Sequence, residues 1–329
     1  MSVAGSPPVI GTRPSGRTVT EVLRRGFEST LANWPVLLLR LGESIVIGLL
    51  MVATVLVVVV PLAISIGLSA AGLQETLRSS DTPTEVIGAL FAAHWLILVY
   101  ILVDISLALL VAVAVHSFVM AGSARIFILA ERAAAPLDSP RQRFAVFTIE
   151  RWVAGGGEAW WPVFWIYNIA YGVAGIVILL PLLPVALLIA VFQQAAAVIT
   201  LTCLGLLIVA FVSLAVLIVT NVVCQKAIII AAQRRVDGTA ALREAWRAMR
   251  ADGLRHFAVA FIMIVLVFGG TGVLTMVSIG FAAPGIRHSM TGLLFMPMRL
   301  LTSFASSIFS AIIGNWFMAS YAALSSEGA

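Results

Sequence analysis

The sequence has very little charge. Only 11% of its 329 residues are Asp, Glu, Lys or Arg, whereas 61% are hydrophobic and the mean hydropathy is +1.08. A water-soluble domain carries about a quarter charged residues, so the composition excludes a soluble globule and also a disordered or fibrous chain. Two cysteines, Cys203 and Cys224, are too few for a disulfide framework. An integral membrane protein that crosses the bilayer several times is the class that remains.

Recognisable catalytic motifs are absent as well. The sequence contains no P-loop, no GxSxG or HExxH motif and no paired acidic motif in its connections. The four histidines lack metal-ligand spacing and have no cysteine at ligand distance along the chain; they are His94, His116, His256 and His288. The sequence therefore predicts no enzyme and no metal, haem or other cofactor.

Long apolar runs are present instead, and they divide into six. A helix needs about 20 apolar residues to cross the ~30 Å hydrocarbon core of a bilayer, and every run is longer than that. Strands of a β-barrel would alternate apolar and polar residues, which these runs do not. The pattern predicts an all-α polytopic membrane helix bundle with six transmembrane helices, at Val36–Ala71, Leu90–Leu129, Trp160–Phe192, Ala195–Ala232, His256–Ala283 and Met290–Leu324. Their excess length predicts tilting, extension past the membrane, or breaks at Pro61, Pro181, Pro184 and Pro297.

The basic residues are distributed unevenly among the connections. Most of the 20 Lys and Arg residues lie before the first run or in the second and fourth connections, whereas only Arg78 and Arg287 lie in the odd-numbered connections. By the positive-inside rule, this asymmetry predicts a multi-pass protein of the bacterial plasma (inner) membrane with both termini cytoplasmic. The same charge predicts that anionic lipids are partners at the cytoplasmic face, and it does not require nucleic acid as a partner.

An internal repeat is suggested by the connections and by the ends of the even-numbered runs. Apolar residues recur at helical spacing before the first, third and fifth runs, and each set includes a tryptophan, namely Trp34, Trp152 and Trp246. The segments Asn221–Cys224 and Asn315–Met318 are alike, and the same number of residues separates them as separates Trp152 from Trp246. The sequence therefore predicts three parallel repeats of an amphipathic helix plus a transmembrane hairpin.

These repeats divide the chain into a flexible cytoplasmic arm and one membrane domain of three units, with boundaries at 1–17, 18–135, 136–235 and 236–329. The amphipathic helices either lie in the inner headgroup layer, with the three tryptophans as interfacial anchors and the arginines outward, or pack beneath the bundle as a cytoplasmic collar. The second of these helices is expected to end at a break over Gly155–Gly157. A tight turn is expected at Gln193–Gln194.

Part of this pattern resembles a known group of proteins. The segments Glu21–Phe27 and Asn33–Pro35, with their echo at Leu242–Arg247, look like a broad group of poorly characterised bacterial six-span membrane proteins. That group includes the membrane domains attached to some glycerophosphodiester phosphodiesterases. The resemblance covers most of the chain and implies the six-span fold. It implies no activity, because no phosphodiesterase domain is present.

Ionisable residues inside the apolar runs are candidate functional residues, because a charge is costly in the bilayer core. Asp104 and Arg299 lie within about one helical turn of the same depth, so they could form an intramembrane ion pair. Alternatively, each faces headgroups or water independently. Arg40 and Glu43 are three residues apart, and they could pair on one helix face or lie together at the interface.

Amide side chains also occur within the apolar runs, at Asn168, Asn221 and Asn315. We expect them to make polar contacts within the bundle. Without a catalytic motif, the sequence favours a structural or accessory role as a scaffold, an assembly factor or a partner subunit of a membrane protein complex. The alternative is a transporter or channel for a small or lipid-like substrate. A polar cavity that includes Asp104 or Asn168 would favour that alternative.

Overall fold

The computed structural model describes residues 17–65, 83–134, 141–191, 196–280 and 296–326. Side chains are described over the same ranges, except at 60–65, 83–94, 96–98, 185–191, 196–200, 277–280, 296 and 298–300. The predicted arm up to residue 16 and the predicted Gln193–Gln194 turn lie outside these ranges, as do residues 66–82 of the first hairpin connection.

The described chain consists of eight α-helices and one short 3₁₀ turn, and the prediction of an all-α polytopic bundle is confirmed. The helices are α1 Val19–Ala32, α2 Pro35–Ser65, α3 Pro83–Ala133, α4 Ile149–Val191, α5 Ala196–Arg234, α6 Gly238–Ala251, α7 Gly253–Gly280 and α8 Met296–Ser325, and the 3₁₀ turn is Arg141–Phe144. Six of them, all except α1 and α6, are long and apolar enough to cross a membrane.

The two short helices have their own capped starts. At the start of α1, Glu21 N donates a hydrogen bond to Thr18 Oγ1 at 3.3 Å, and Thr18 N donates to Glu21 Oε2 at 2.7 Å. At the start of α6, Asp237 accepts a hydrogen bond from Ala240 N at 2.7 Å. These side chains satisfy backbone N–H groups that a helix start leaves without partners. Helix α6 is therefore a separate element and not an extension of α5, and α1 has its own start at Val19.

The spanning helices are longer and more continuous than predicted. Helix α3 has 51 residues, which at a rise of ~1.5 Å per residue is about 75 Å and far exceeds the ~30 Å bilayer core. Helix α2 continues past Pro61, and α4 continues through Pro181 and Pro184, so the breaks predicted at these three prolines are absent, whereas Pro297 lies at the start of α8. In apolar surroundings the remaining backbone groups are best satisfied by continued helical hydrogen bonds, which favours an intact helix.

The predicted break over Gly155–Gly157 is wrong for a different reason. Helix α4 already begins at Ile149 and runs through the three glycines. This part of α4 lies very close to α3, and a Cβ atom added to Gly122 of α3 would lie only 2.7 Å from the carbonyl oxygen of Trp152. Small residues let two helices approach in this way. Gly155 and Gly156 belong to this close contact, because a Cβ on either would meet the side chain of Arg125 or Phe118 of α3, whereas a Cβ on Gly157 would meet no atom within 4 Å. Packing at the first two glycines offsets their low helix propensity.

The six spanning helices form an inner and an outer group. Helices α3, α5 and α8 contact one another and make up the inner group. Of the outer helices, α2 lies against α8 and α3, α4 lies against α3 and α5, and α7 lies against α5 and α8. Each outer helix therefore contacts two inner helices.

The buried core lies at one end of this bundle, which we call the packed end. It is formed by residues 119–133 of α3, 222–232 of α5 and 313–324 of α8, together with α1 and α6. The two ends of the described chain also meet there, because Arg17 donates hydrogen bonds to Ala323 O and Ser326 Oγ, both at 3.0 Å. Away from the packed end, the described side chains of the spanning helices are mostly exposed, as expected where lipid covers the protein.

Helix α1 is rotated differently from the prediction. Its Arg25 is buried, and Arg25 Nε donates to Glu131 Oε1 of α3 at 2.8 Å. The apolar side chains of Phe27 and Leu31 are partly exposed instead. The prediction that the arginines of this helix point outward is therefore wrong for Arg25, because a buried carboxylate on α3 pairs with it.

Candidate functional site

Ionisable and polar side chains from four helices meet inside the bundle. We call them the polar cluster; it consists of Arg40 and Glu43 of α2, His116 of α3, Tyr167 of α4 and Asn315 of α8. The Glu43 carboxylate is at its centre. One oxygen, Oε1, contacts His116 Nδ1, and the other, Oε2, lies 3.5 Å from Arg40 Nη1.

The cluster continues in both directions from this carboxylate. On one side, His116 Nε2 lies 3.1 Å from the Tyr167 hydroxyl, and the two rings are in tilted contact with their centroids 4.9 Å apart. On the other side, Arg40 Nε donates a hydrogen bond to Asn315 Oδ1 at 3.3 Å. A continuous chain of polar contacts therefore crosses the bundle from α8 through α2 and α3 to α4.

The members of the cluster differ in exposure. Glu43 is only 7% exposed, and Tyr167 and Asn315 are also buried, whereas 34% of the His116 side chain is exposed. A buried carboxylate is strongly disfavoured unless a basic or hydrogen-bonding partner compensates it, and Arg40 and His116 supply that compensation. His116 is therefore the member best placed to contact another molecule.

Two cavities flank the cluster, and His116 borders both. The first cavity, of about 540 Å³, lies among α2, α3 and α8, and its polar lining includes Arg40, Glu43, Ser306, Ser307 and Ser310. The second cavity, of about 570 Å³, lies between α3 and α4, and its polar lining includes Tyr167, Asn168 and Tyr171. Both volumes fall within the range of about 300–1,000 Å³ that is typical of small-molecule sites.

This arrangement can bind a polar group. The Arg40 guanidinium can donate hydrogen bonds into the first cavity, and Ser307, whose hydroxyl already donates to Ser303 O at 3.1 Å, can accept one there. The two ring nitrogens of His116 face different partners, a carboxylate and a phenol, so a proton shift between the nitrogens would change the hydrogen bonds on both sides of the ring. Within the described ranges, no three His, Cys, Asp or Glu side chains come together in a group that could hold a metal ion.

The predicted pair of Asp104 and Arg299 stays a prediction. Asp104 is partly buried in α3, and its Oδ2 accepts no hydrogen bond from the described residues. The side chain of Arg299 lies outside the described side chains, as do those of His94 and His288. Asp104 is not among the residues that line the two cavities beside the polar cluster.

The three tryptophans predicted as interfacial anchors occupy two kinds of position. Trp34 and Trp246 are exposed at the packed end, and Arg250 lies over the Trp246 ring at 5.3 Å. Trp152 is buried instead, in edge-on contact with Phe118 at a centroid distance of 5.4 Å. It lies inside the protein because the start of α4 packs directly on α3.

The three asparagines also differ from one another. Asn315 contacts α2 through Arg40, as described above. Asn168 donates a hydrogen bond to Phe164 O of its own helix at 2.8 Å and lines the second cavity. Asn221 lines a third cavity, which lies among α5, α7 and α8.

The sequence indicated parts of this site but not their combination. Arg40, Glu43 and His116 are visible as ionisable residues in the apolar runs, yet an apolar run does not show which way each helix faces. Comparing the depth of every ionisable residue, as for Asp104 and Arg299, would have made Glu43 and His116 candidates for a contact. Tyr167 carries no such signal.

Comparisons with protein-family models, with curated proteins and with solved structures find no match. The geometry of the chain itself is therefore the basis for interpreting its function.

Proposed function

We propose that the chain is a transporter or channel for a small or lipid-like substrate, with the polar cluster as its binding site. The observation that supports this most directly is the position of His116, which borders two cavities and contacts Glu43 and Tyr167 through its two nitrogens. The second cavity contains Asn168 beside Tyr167 and Tyr171, and the rest of its lining is mostly apolar, so it meets the criterion of a polar cavity only in part.

The lining of the first cavity indicates the type of substrate. Arg40 and the four serine side chains suit a polar group, and the charges of Arg40 and Glu43 balance each other. Ile47 and Ala311 add apolar surface. A molecule with a polar head and an apolar part fits this combination.

A structural or accessory role is the second candidate. It is supported by the packed end, where charged and amide side chains such as Arg25, Glu131 and Asn33 are used in internal contacts. In that role the protein would be a scaffold, an assembly factor or a subunit of a membrane protein complex, and the polar cluster would only fasten four helices together. In neither role do we assign the chain an enzymatic activity.

We further propose that the bundle consists of three repeats in the bacterial plasma membrane, with both termini and the packed end on the cytoplasmic side. The contacts of three outer helices with three inner helices support the repeat. The meeting of both described chain ends at the packed end supports the shared side. Exposed arginines on α6, with Trp246 among them, suit an amphipathic helix next to anionic lipid.

Cysteine labelling tests the proposed site. In a background with Cys203→Ser and Cys224→Ala, Ser307→Cys places a thiol in the first cavity, and Leu49→Cys places one on the exposed apolar side of α2 as a matched control. A charged, membrane-impermeant thiol reagent should label the Ser307 variant at least about tenfold faster, because only a water-filled cavity admits it. Equally slow labelling of both variants would rule out a water-reachable site.

The direction of labelling separates the two candidate functions. In sealed vesicles of each orientation, a transporter should expose the thiol at position 307 to reagent added from either side, because the site alternates between them. A scaffold should expose it from one side at most. Arg243→Cys on α6 reports the orientation in the same vesicles, and labelling of this thiol from the outer side would contradict the proposed topology.

A further inference from the structure

The third cavity has no ionisable residue in its described lining, whereas His116 borders both cavities beside the polar cluster. It has a volume of about 370 Å³ and lies on another side of α8, among α5, α7 and α8. Leu214, Leu217, Met263 and Phe268 contribute to its largely apolar walls, and none of the described residues that line it is charged. A charged ligand would have no counter-charge there, so the cavity suits a neutral molecule.

One buried polar group in this cavity lacks a partner. Gln225 lines the cavity and is 8% exposed, and its side-chain oxygen Oε1 is buried without a hydrogen bond from the described residues. Buried acceptors are normally paired, because leaving one unpaired is costly. A hydroxyl group of a bound molecule would supply the missing donor. Asn221, one turn earlier on α5, is a second polar group in the same lining.

The length and the rim of the cavity indicate a lipid chain. From Leu214 to Gln225, α5 advances by about 16 Å at a rise of ~1.5 Å per residue, which is close to half the ~30 Å bilayer core and thus to one leaflet. Leu214 and Phe268 belong to the lining and are exposed on the surface of the bundle. A hydrocarbon chain can therefore enter from the surrounding lipid, with its polar end at Gln225 near the packed end.

From these observations we propose that the third cavity binds a neutral single-chain lipid with a hydroxyl head, such as a monoacylglycerol, whose hydroxyl donates to Gln225 Oε1. The volume is near the lower end of the ~300–1,000 Å³ range for ligand sites, which suits one chain and not two. This site does not depend on the polar cluster, so it stands whether or not the chain is a transporter.

Photo-crosslinking of the full chain tests the proposal. The protein is reconstituted in phosphatidylcholine nanodiscs with a monoacylglycerol that carries a diazirine in its acyl chain, and adducts are mapped by mass spectrometry. We expect adducts on the cavity walls of α5 and α7. Gln225→Leu should reduce them roughly threefold to tenfold, as expected for the loss of one hydrogen bond. Ile264→Trp should also reduce them by filling the cavity, whereas Asn168→Leu, in the second cavity, should leave them unchanged.

A comparison of two competing lipids tests the same contact in the unaltered protein. This test can be carried out even if a variant fails to assemble. Unlabelled monoacylglycerol should suppress the adducts at a concentration at least about threefold lower than the methyl ester of the same fatty acid requires, because the ester has no hydroxyl donor. Equal competition by the ester would overturn the proposal. Adducts spread evenly over the exposed helix surfaces, or undiminished in Gln225→Leu, would overturn it as well.

Discussion

Two buried carboxylates have similar partners but very different surroundings. Glu131 is 4% exposed at the packed end, where Arg17 and Arg25 approach it at 2.6 and 2.8 Å. Glu43 is 7% exposed within the polar cluster, where Arg40 and His116 are its partners. Glu43 borders the first cavity, whereas Glu131 lines none of the three cavities described above.

The difference shows how the same chemistry can serve two purposes. At the packed end, protein surrounds Glu131 and its two arginines. The ion pairs therefore hold α1 against α3, and another molecule has little access to them. In the polar cluster, one face of the network is open, so another molecule can reach it. An ionisable residue within a membrane protein is a functional candidate when its partners leave it accessible. Substitutions can test whether the enclosed Glu131 and the accessible Glu43 differ in this way.

The largest expected effect is the loss of the Glu131 carboxylate. Glu131→Ala should lower the free energy of unfolding by about 3–5 kcal/mol, because it leaves buried arginine charge uncompensated. Thermal unfolding of the detergent-solubilised protein measures this change. Glu244→Ala is the control, since Glu244 pairs with Arg234 on the exposed surface and such pairs contribute about 1 kcal/mol or less. Similar losses of unfolding free energy in both variants would show that burial does not determine how much these carboxylates contribute to stability.

A smaller loss is expected for Asn33, which ties the end of α1 to the segment after the 3₁₀ turn. Its Nδ2 donates to Phe144 O at 2.7 Å, and its Oδ1 accepts from Val146 N and Phe147 N at 3.1 and 3.0 Å. Asn33→Ala should cost about 2 kcal/mol, because buried backbone groups lose their partners. Asn33→Asp retains the acceptor but places a carboxylate oxygen against the carbonyl oxygens of Ser29 and Phe144, so it should cost at least as much in the same unfolding assay. A loss well below 1 kcal/mol in Asn33→Ala would argue against this role of the amide.

Neutralising Glu43 should affect accessibility more than stability. Glu43→Gln should lower the free energy of unfolding by about 1 kcal/mol or less, because the amide retains hydrogen bonds. When Glu43→Gln is combined with Ser307→Cys, an anionic thiol reagent should gain labelling rate relative to a cationic one. The ratio of the two rates should rise by about tenfold, equivalent to ~1.4 kcal/mol, because the cavity becomes more positive. Glu131→Gln is the matched control and should leave the ratio unchanged. A shift of equal size in that control would remove the distinction between the two sites.

The smallest effect is expected at the exposed start of α1. Hydrogen bonds from the backbone and side chain of Thr18 lower the pKa of Glu21 below its ordinary value of 4.5. Because the folded-state pKa is lowered, the contribution of Glu21 to stability is present above the unfolded-state pKa and is lost as the pH falls through the folded-state pKa. Glu21→Gln should therefore show a slightly smaller decrease in melting temperature than the unaltered protein on acidification from pH 6 to pH 3. Identical pH profiles would contradict this role.

Hydropathy and length were sufficient to predict the six spanning helices, because each apolar run exceeds what a bilayer crossing needs. They predicted helix ends less well. Helix α4 begins at Ile149 and not near Trp160, since a close contact with α3 stabilises the stretch around Gly155–Gly157. The rotation of each helix was the least predictable property. Arg25 is buried and the Glu43–His116 contact forms because of tertiary packing, which a single apolar run does not encode.

The contacts of α1 with α8 have a consequence for how the protein is made. Trp316 Nε1 donates to Leu23 O at 2.8 Å, across 293 positions of the chain, and a Cβ on Gly26 would lie 2.8 Å from the backbone nitrogen of Ser320. Of the described helices, α1 leaves the ribosome first and α8 leaves it last. During translation α1 must therefore wait, with its docking surface uncovered, until α8 has been inserted, and the packed end can close only after that step.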